Sequence, residues 1–259
     1  MVAKDKSVVT QESRQTESRS LWHSLSGYVT QVEFAVLLAV FIIAGGAWLF
    51  LALADEVTEG DTASFDSAVL LALRTNPNDL GDPIGPPGFE EMMRDLTALG
   101  GVAVLTLLTA GVVSFLLIQG KRQDALLVLV ATGGGAVLMT LLKDVYGRPR
   151  PDLVPHGSYV TSSSFPSGHS MLSAAVYLTL GALLARSLSE RRLKVFVLAS
   201  AVLITVLVGV SRVYLGVHWP TDVLAGWTVG AIWAAACWLA ARWLQRHRSE
   251  RNKPSASPD

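Results

Sequence analysis

Six apolar runs, at positions 34–54, 96–118, 125–142, 170–185, 195–210 and 223–241, punctuate the 259-residue chain, with polar and charged stretches between them. A helix needs about 20 residues to cross the hydrocarbon core of a bilayer. The first two runs meet that length without a single charge. The fourth and fifth are shorter, so the polar residues flanking them are expected at the membrane surface or in a cavity. The third holds Gly133, Gly134 and Gly135, which suit the close approach of another helix. The pattern predicts an all-α polytopic membrane protein, a six-transmembrane-helix bundle.

Between the first two runs, Phe65, Val69, Leu70 and Leu73 recur at helical spacing, as do Phe89, Met92, Met93 and Leu96, with Asn-Pro and Pro-Pro breaks between the two sets. This predicts two short amphipathic helices at the membrane surface, capping the bundle or forming a lid over the substrate's path. Ala52, Leu53 and Ala54 ahead of Asp55 resemble a signal cleavage site. A signal peptide, however, has a shorter apolar region close to the terminus, so run 34–54 is read as a retained membrane helix. The expected organisation is a disordered tail over 1–31, a membrane domain over 32–244 with a long loop at 55–95 and a catalytic region at 143–222, and a second tail over 245–259.

Composition agrees with the pattern: 51% of residues are apolar, 16% are charged, and mean hydropathy is +0.42. A formal net charge of zero gives no reason to expect a nucleic-acid partner. Cys237 is the only cysteine, which leaves no internal disulfide and no cysteine-based metal site. Charge placement also orients the bundle. The two tails and the second and fourth connections hold 15 of the Lys and Arg residues and the other side holds 6, so both termini are expected in the cytoplasm. The third and fifth connections then face away from it.

Three polar clusters fall on that outer side. Lys143 is followed at six intervening residues by Arg150 and Pro151; Pro166, Ser167, Gly168 and His169 open the fourth run; Ser211 and Arg212 precede His218 and Asp222. Lys143, Arg150 and Arg212 bring three positive charges together, two of them guanidinium forks suited to phosphate oxygens. Ser167 and Gly168 sit where a helix N-terminus offers unpaired N–H groups to an anion. Phosphoryl transfer further needs a nucleophile and an acid for the leaving oxygen, which His218 and His169 can supply. Asp222, four residues after His218, can accept a proton from one imidazole nitrogen and aim the other at phosphorus. Three nearby cations disfavour a divalent metal, and no cofactor is expected.

In order and spacing, these clusters resemble the three-part signature of the type-2 phosphatidic acid phosphatase family, within the acid phosphatase and vanadium haloperoxidase superfamily. The resemblance covers about residues 143–222. It implies a helical bundle with the site at its non-cytoplasmic end, His218 as nucleophile, His169 as acid and base, Asp222 as orienter, phosphate held by Lys143, Arg150, Ser167, Gly168 and Arg212, and no metal. Arg148 lies outside the signature and reads either as a loop anchor or as a ligand for a second phosphate. The expected activity is hydrolysis of a lipid phosphate or diphosphate, such as undecaprenyl diphosphate, phosphatidic acid or phosphatidylglycerol phosphate, in a bacterial inner membrane. A non-catalytic lipid-phosphate carrier and a vanadate-dependent haloperoxidase are the competing readings. Oligomeric state is not legible.

Overall fold

The computed structural model describes residues 34–76, 79–156 and 162–251. The expected tail over 1–31 and the last residues, 252–259, lie outside them. The chain divides into two units, Met1–Phe41 and Ile42–Asp259. In the first, residues 34–41 form the opening turns of helix α1 (Phe34–Glu59). The second contains the remaining turns of α1 and every other described element.

After α1 come α2 (Ala63–Ala72), a two-stranded antiparallel hairpin of β1 (Arg74–Asn76) and β2 (Asp79–Pro83), α3 (Pro87–Ala98) and α4 (Val102–Ile118). Then follow α5 (Arg122–Leu129), a π-helical turn (Val130–Gly134), α6 (Gly135–Tyr146), α7 (Gly168–Ser187), α8 (Arg191–Tyr214) and α9 (Pro220–Arg251). Among the described residues five helical stretches are long and apolar enough to cross a membrane, and six if α3 and α4, bent by 46°, count as one.

Several elements depart from the hydropathy pattern for local reasons. Run 96–118 is not one helix. It breaks at Gly100 and Gly101, where a side chain has no room: a Cβ on Gly100 would lie 3.1 Å from the backbone oxygen of His169. Helices α7 and α8 extend beyond their apolar cores to 20 and 24 residues and carry His169 and Arg212 within them. Helix α9 runs on through Arg251, past the boundary expected at residue 244. The amphipathic segments appear as α2 and α3, while the break between them is the small hairpin that the helical pattern did not predict.

Beside an apolar core, burial departs from that of a water-soluble domain. Leu107, Phe115, Ile118, Val145 and Phe196 are exposed, whereas Asp66, Lys143, Arg212, His218 and Asp222 are buried. Apolar side chains facing outward and charges facing inward suit a hydrocarbon surround, and the chain is an integral membrane protein.

With no hydrophobic drive between helices inside a bilayer, association depends on close packing at small residues. Helix α7 packs most extensively on α8 and α9. Gly226 and Gly230, one turn apart on α9, meet Ser170 and Ala174, one turn apart on α7: Cβ atoms on the glycines would come within 2.9 Å and 2.6 Å of those side chains. The glycine run of the third segment does receive another helix. Trp233 of α9 presses on Gly134 and Gly135, and its indole N–H donates to the Ala131 carbonyl at 3.0 Å, inside the π turn.

Candidate active site

Lys143 ends α6, His169 begins α7, Arg212 ends α8 and Asp222 begins α9. Alternating helix directions therefore collect the three clusters at one end of the bundle. Gly147, with φ +54°, stops α6 in the left-handed conformation and releases the segment that carries Arg148 and Arg150. Gly216, with φ +69°, turns the chain from α8 into His218. A Cβ there would also lie 3.1 Å from Arg74 Nη2 and from the Pro155 carbonyl.

His218 is almost wholly buried. Its Nδ1 lies 3.4 Å from Asp222 Oδ2 and 3.3 Å from Ser164 Oγ, and its Nε2 lies 3.2 Å from Arg150 Nη1. A guanidinium has donors only, so the contact with Arg150 assigns Nε2 as the acceptor and leaves the proton on Nδ1, toward Asp222. Burial, reinforced by the charges of Arg212 and Arg150 and opposed by Asp222, lowers the imidazole pKa to about 3. The ring is thus neutral at physiological pH with a lone pair, and no proton, on Nε2; Arg150 holds that lone pair here and must release it for the ring to act as a nucleophile.

Asp222 is fixed on every side. Oδ2 accepts from the Trp219 backbone N–H at 2.9 Å and from the Ser164 hydroxyl; Oδ1 accepts from Arg148 Nη1 at 2.7 Å. Its carbonyl accepts from Ser167 N–H at 2.9 Å, which ties the start of α9 to the start of α7.

The cations hold the surrounding chain. Arg150 donates through Nη1 to the Val217 carbonyl and through Nε to the Ser162 carbonyl, both at 2.7 Å. Lys143 Nζ donates to the Ser163 carbonyl, and the Ser163 hydroxyl returns a 2.9 Å bond to the Lys143 carbonyl. Arg212 is buried and donates to Thr97 Oγ1 of α3 at 2.9 Å. Burial pulls the Arg150 guanidinium below its ordinary pKa, against the pull of Asp222.

The start of α7 completes the set. The Ser167 hydroxyl accepts from Ser170 N–H at 3.5 Å and from the Ser170 hydroxyl at 2.9 Å, capping the helix. Gly168 has a packing reason as well as an electrostatic one, since a Cβ there would lie 2.5 Å from Met139 Sδ. His169 lies within electrostatic reach of His218, Arg150, Lys143 and Arg212. All eight candidate residues thus come together. Among the described residues, no group of three or more His, Cys, Asp or Glu side chains assembles as a metal site.

Four contributors were not singled out in the sequence. Ser162, Ser163 and Ser164 are each held by a different member of the site, and the serine run directly before Phe165-Pro166 was the available signal. Asp66 reaches the site from α2; a lone acid among the apolar residues of that helix was its signal. Arg148, left open above, is engaged by Asp66 and Asp222. Behind the serines, Phe165 is fully buried against Phe50 and Tyr146, with ring centroids 5.9 Å and 5.0 Å away.

Comparison with known proteins agrees with this geometry. Residues 124–246 match the profile of the PAP2 superfamily. The phosphatidylglycerophosphatase B of Bacillus subtilis is 39% identical over 152 residues, which cover 58% of this chain and 73% of that one. The undecaprenyl-diphosphatase of Sulfolobus acidocaldarius is 30% identical over 121 residues, 45% of this chain and 54% of that one. The crystal structure of a transmembrane PAP2-type phosphatidylglycerolphosphate phosphatase from Bacillus subtilis superposes with a TM-score of 0.68 at 32% identity, covering 83% of this chain and 98% of that one. With its apolar helices and the three clusters gathered at one end of the bundle, the chain belongs to the PAP2 superfamily and is a membrane phosphatase.

Proposed function

We propose that this phosphatase removes the terminal phosphate of a membrane lipid through a phosphohistidine at His218. The observation that carries the reading is the polarity of the His218 ring: Nδ1 faces Asp222 Oδ2 while Nε2 is the acceptor beside Arg150, in a site with the buried Lys143 and Arg212 and the half-buried His169. Nε2 attacks phosphorus in line with the departing lipid alkoxide, and the P–O bond breaks as the P–N bond forms. Lys143, Arg150, Arg212, the Ser167 hydroxyl and the Gly168 N–H at the start of α7 hold the charge on the equatorial oxygens, while the Ser167 N–H stays on the Asp222 carbonyl. His169 passes to the alkoxide the proton that a phosphomonoester monoanion brings into the site, and then takes one from the water that hydrolyses the phosphohistidine. The step draws on no metal.

A glycerophospholipid bearing a terminal phosphomonoester, phosphatidylglycerol phosphate, is the favoured substrate, because the relative of 39% identity and the superposed structure both bear that activity in their names. Undecaprenyl diphosphate is next, through the more distant relative. The charge asymmetry supports a six-span bundle with both termini in the cytoplasm: the connections bearing Lys121 and Arg122, and Arg191, Arg192 and Lys194, lie at the end opposite the site. The site then opens on the outer face of a bacterial inner membrane.

Phosphate release by the detergent-purified protein, with EDTA present, across phosphatidylglycerol phosphate, phosphatidic acid, undecaprenyl diphosphate and a water-soluble monoester tests the reading. The expected result is release from phosphatidylglycerol phosphate, inhibition by vanadate and no turnover in His218→Ala. A His218→Ala variant as active as the parent, or restoration by added metal of activity lost to EDTA, would overturn it.

A further inference from the structure

Asp66 belongs to none of the three clusters, lies in the segment between α1 and α3, and is completely buried. Both its oxygens are engaged at the site. Oδ1 accepts from the Thr221 backbone N–H at 3.0 Å, and Oδ2 accepts from the Thr221 hydroxyl at 2.7 Å and from Arg148 Nη2 at 2.8 Å. The other arm of the same guanidinium, Nη1, reaches Asp222 Oδ1 at 2.7 Å and the Thr221 hydroxyl at 2.9 Å. One arginine fork is thus shared between two buried carboxylates, with the guanidinium centre 5.6 Å from the centroid of the Trp219 ring.

A shared fork is not what Arg148 and Asp222 would adopt by themselves, since a guanidinium facing one carboxylate favours two parallel bonds to both oxygens. That arrangement would draw Asp222 Oδ2 away from His218 Nδ1. By taking Nη2, Asp66 restricts Arg148 to Oδ1 and leaves Oδ2 to His218, Ser164 and the Trp219 N–H. It also clamps Thr221, the residue immediately before Asp222, through both backbone and side chain. We infer that Asp66 is a positioning residue for the phosphatase reaction, acting through Arg148 and Thr221 to hold the Asp222 carboxylate in the orientation that aims His218. Helix α2 is then part of the catalytic apparatus and not only a cap on the bundle.

The inference rests on the reading of His218 as nucleophile, and the test separates the two. In detergent-purified protein, kcat, KM, inhibition by inorganic phosphate and inhibition by vanadate are compared for the parent, Asp66→Asn, Thr221→Val and His218→Ala. Phosphate inhibition reports ground-state anion binding by the cations, whereas vanadate, a five-coordinate mimic of the transferring phosphoryl group that a nucleophilic Nε2 would bond, reports the aim of His218. Asp66→Asn is expected to lower kcat by about 10- to 100-fold and to weaken vanadate inhibition in parallel, leaving KM and phosphate inhibition within about twofold. Thr221→Val, which removes only the hydroxyl bonds, should show the same pattern at smaller size and decides the matter if Asp66→Asn does not fold. Parental kcat in both variants, or equal losses of phosphate and vanadate inhibition with a lowered melting temperature, would overturn the role of Asp66. Full activity in His218→Ala would instead remove the nucleophile reading beneath it.

Discussion

Gly226 on α9 lies so close to Ser167 that a Cβ at that position would stand 2.6 Å from the Ser167 carbonyl oxygen. Ser167 opens the helix that carries His169, and Gly226 sits one turn after Asp222. The spacing of these two backbones therefore sets the spacing of the two halves of the site. Backbone yields less readily than a flexible side chain, so any residue larger than glycine must push α9 from α7.

Gly226→Ala should accordingly cost about 1–3 kcal/mol of stability, the usual range for overpacking, and reduce turnover more than a change on the outer face of α9 such as Leu224→Ala. Thermal unfolding in detergent and phosphate release on the same samples check this. Parental values for both would mean that the two helices can separate without consequence.

Asp222→Asn preserves shape but removes the charge that holds the proton of His218 on Nδ1, and an amide can present an N–H to that nitrogen instead. The tautomer then reverses and Nε2 loses its lone pair. By the behaviour of orienting carboxylates in nucleophile triads, kcat should fall by about 10^4-fold while inhibition by inorganic phosphate changes little. A fall of less than tenfold would show that Asp222 does not set the tautomer.

Arg150→Lys keeps the positive charge and loses the fork. Arg150 spans the Val217 carbonyl, the Ser162 carbonyl and His218 Nε2 with separate donors, a geometry that one ammonium cannot reproduce. Lysine should therefore behave much like Arg150→Gln in kcat/KM, about 100-fold below the parent, by analogy with the loss of one transition-state donor. If lysine retains most of the activity, charge alone suffices at this position.

The depressed pKa of His218 has a consequence for stability as well as reactivity. Above the unfolded-state value of about 6.5, folded and unfolded chains are both unprotonated here and the group contributes no pH dependence. As pH falls from there toward the folded value of about 3, the unfolded chain takes up a proton that the folded one refuses, so stability declines by up to ~1.4 kcal/mol per pH unit. Melting temperatures in detergent from pH 7 to pH 4 should thus fall more steeply for the parent than for His218→Gln. Parallel curves would show that the ring takes up its proton in the folded state.

The long uncharged runs made membrane residence and most of the helices legible, because a bilayer imposes a length and polarity requirement that each segment meets locally. The spacing of Lys143, Arg150, Ser167, Gly168, His169, Arg212, His218 and Asp222 was legible for a related reason: these residues occupy helix ends and the connections joining them, and consecutive spans return every second end to the same side. Local pattern failed where a non-local contact decided the outcome. The break at Gly100 answers to His169 on another helix, and the extension of α8 to Tyr214 answers to the burial of Arg212 against Thr97.

What the sequence determined by itself is therefore the class of the molecule: a helical membrane protein with cations, two histidines and a carboxylate gathered on one side. Only the tertiary structure decided which partners give those residues their direction. Asp66 and Thr221 are 155 positions apart, Arg148 and Asp222 are 74, and Ser164 and Asp222 are 58. Hydropathy and spacing describe what each segment requires of its solvent. They carry no information about which buried donor meets which buried acceptor, because that choice is made by the packing of small residues such as Gly226 and Gly230 after the helices have formed.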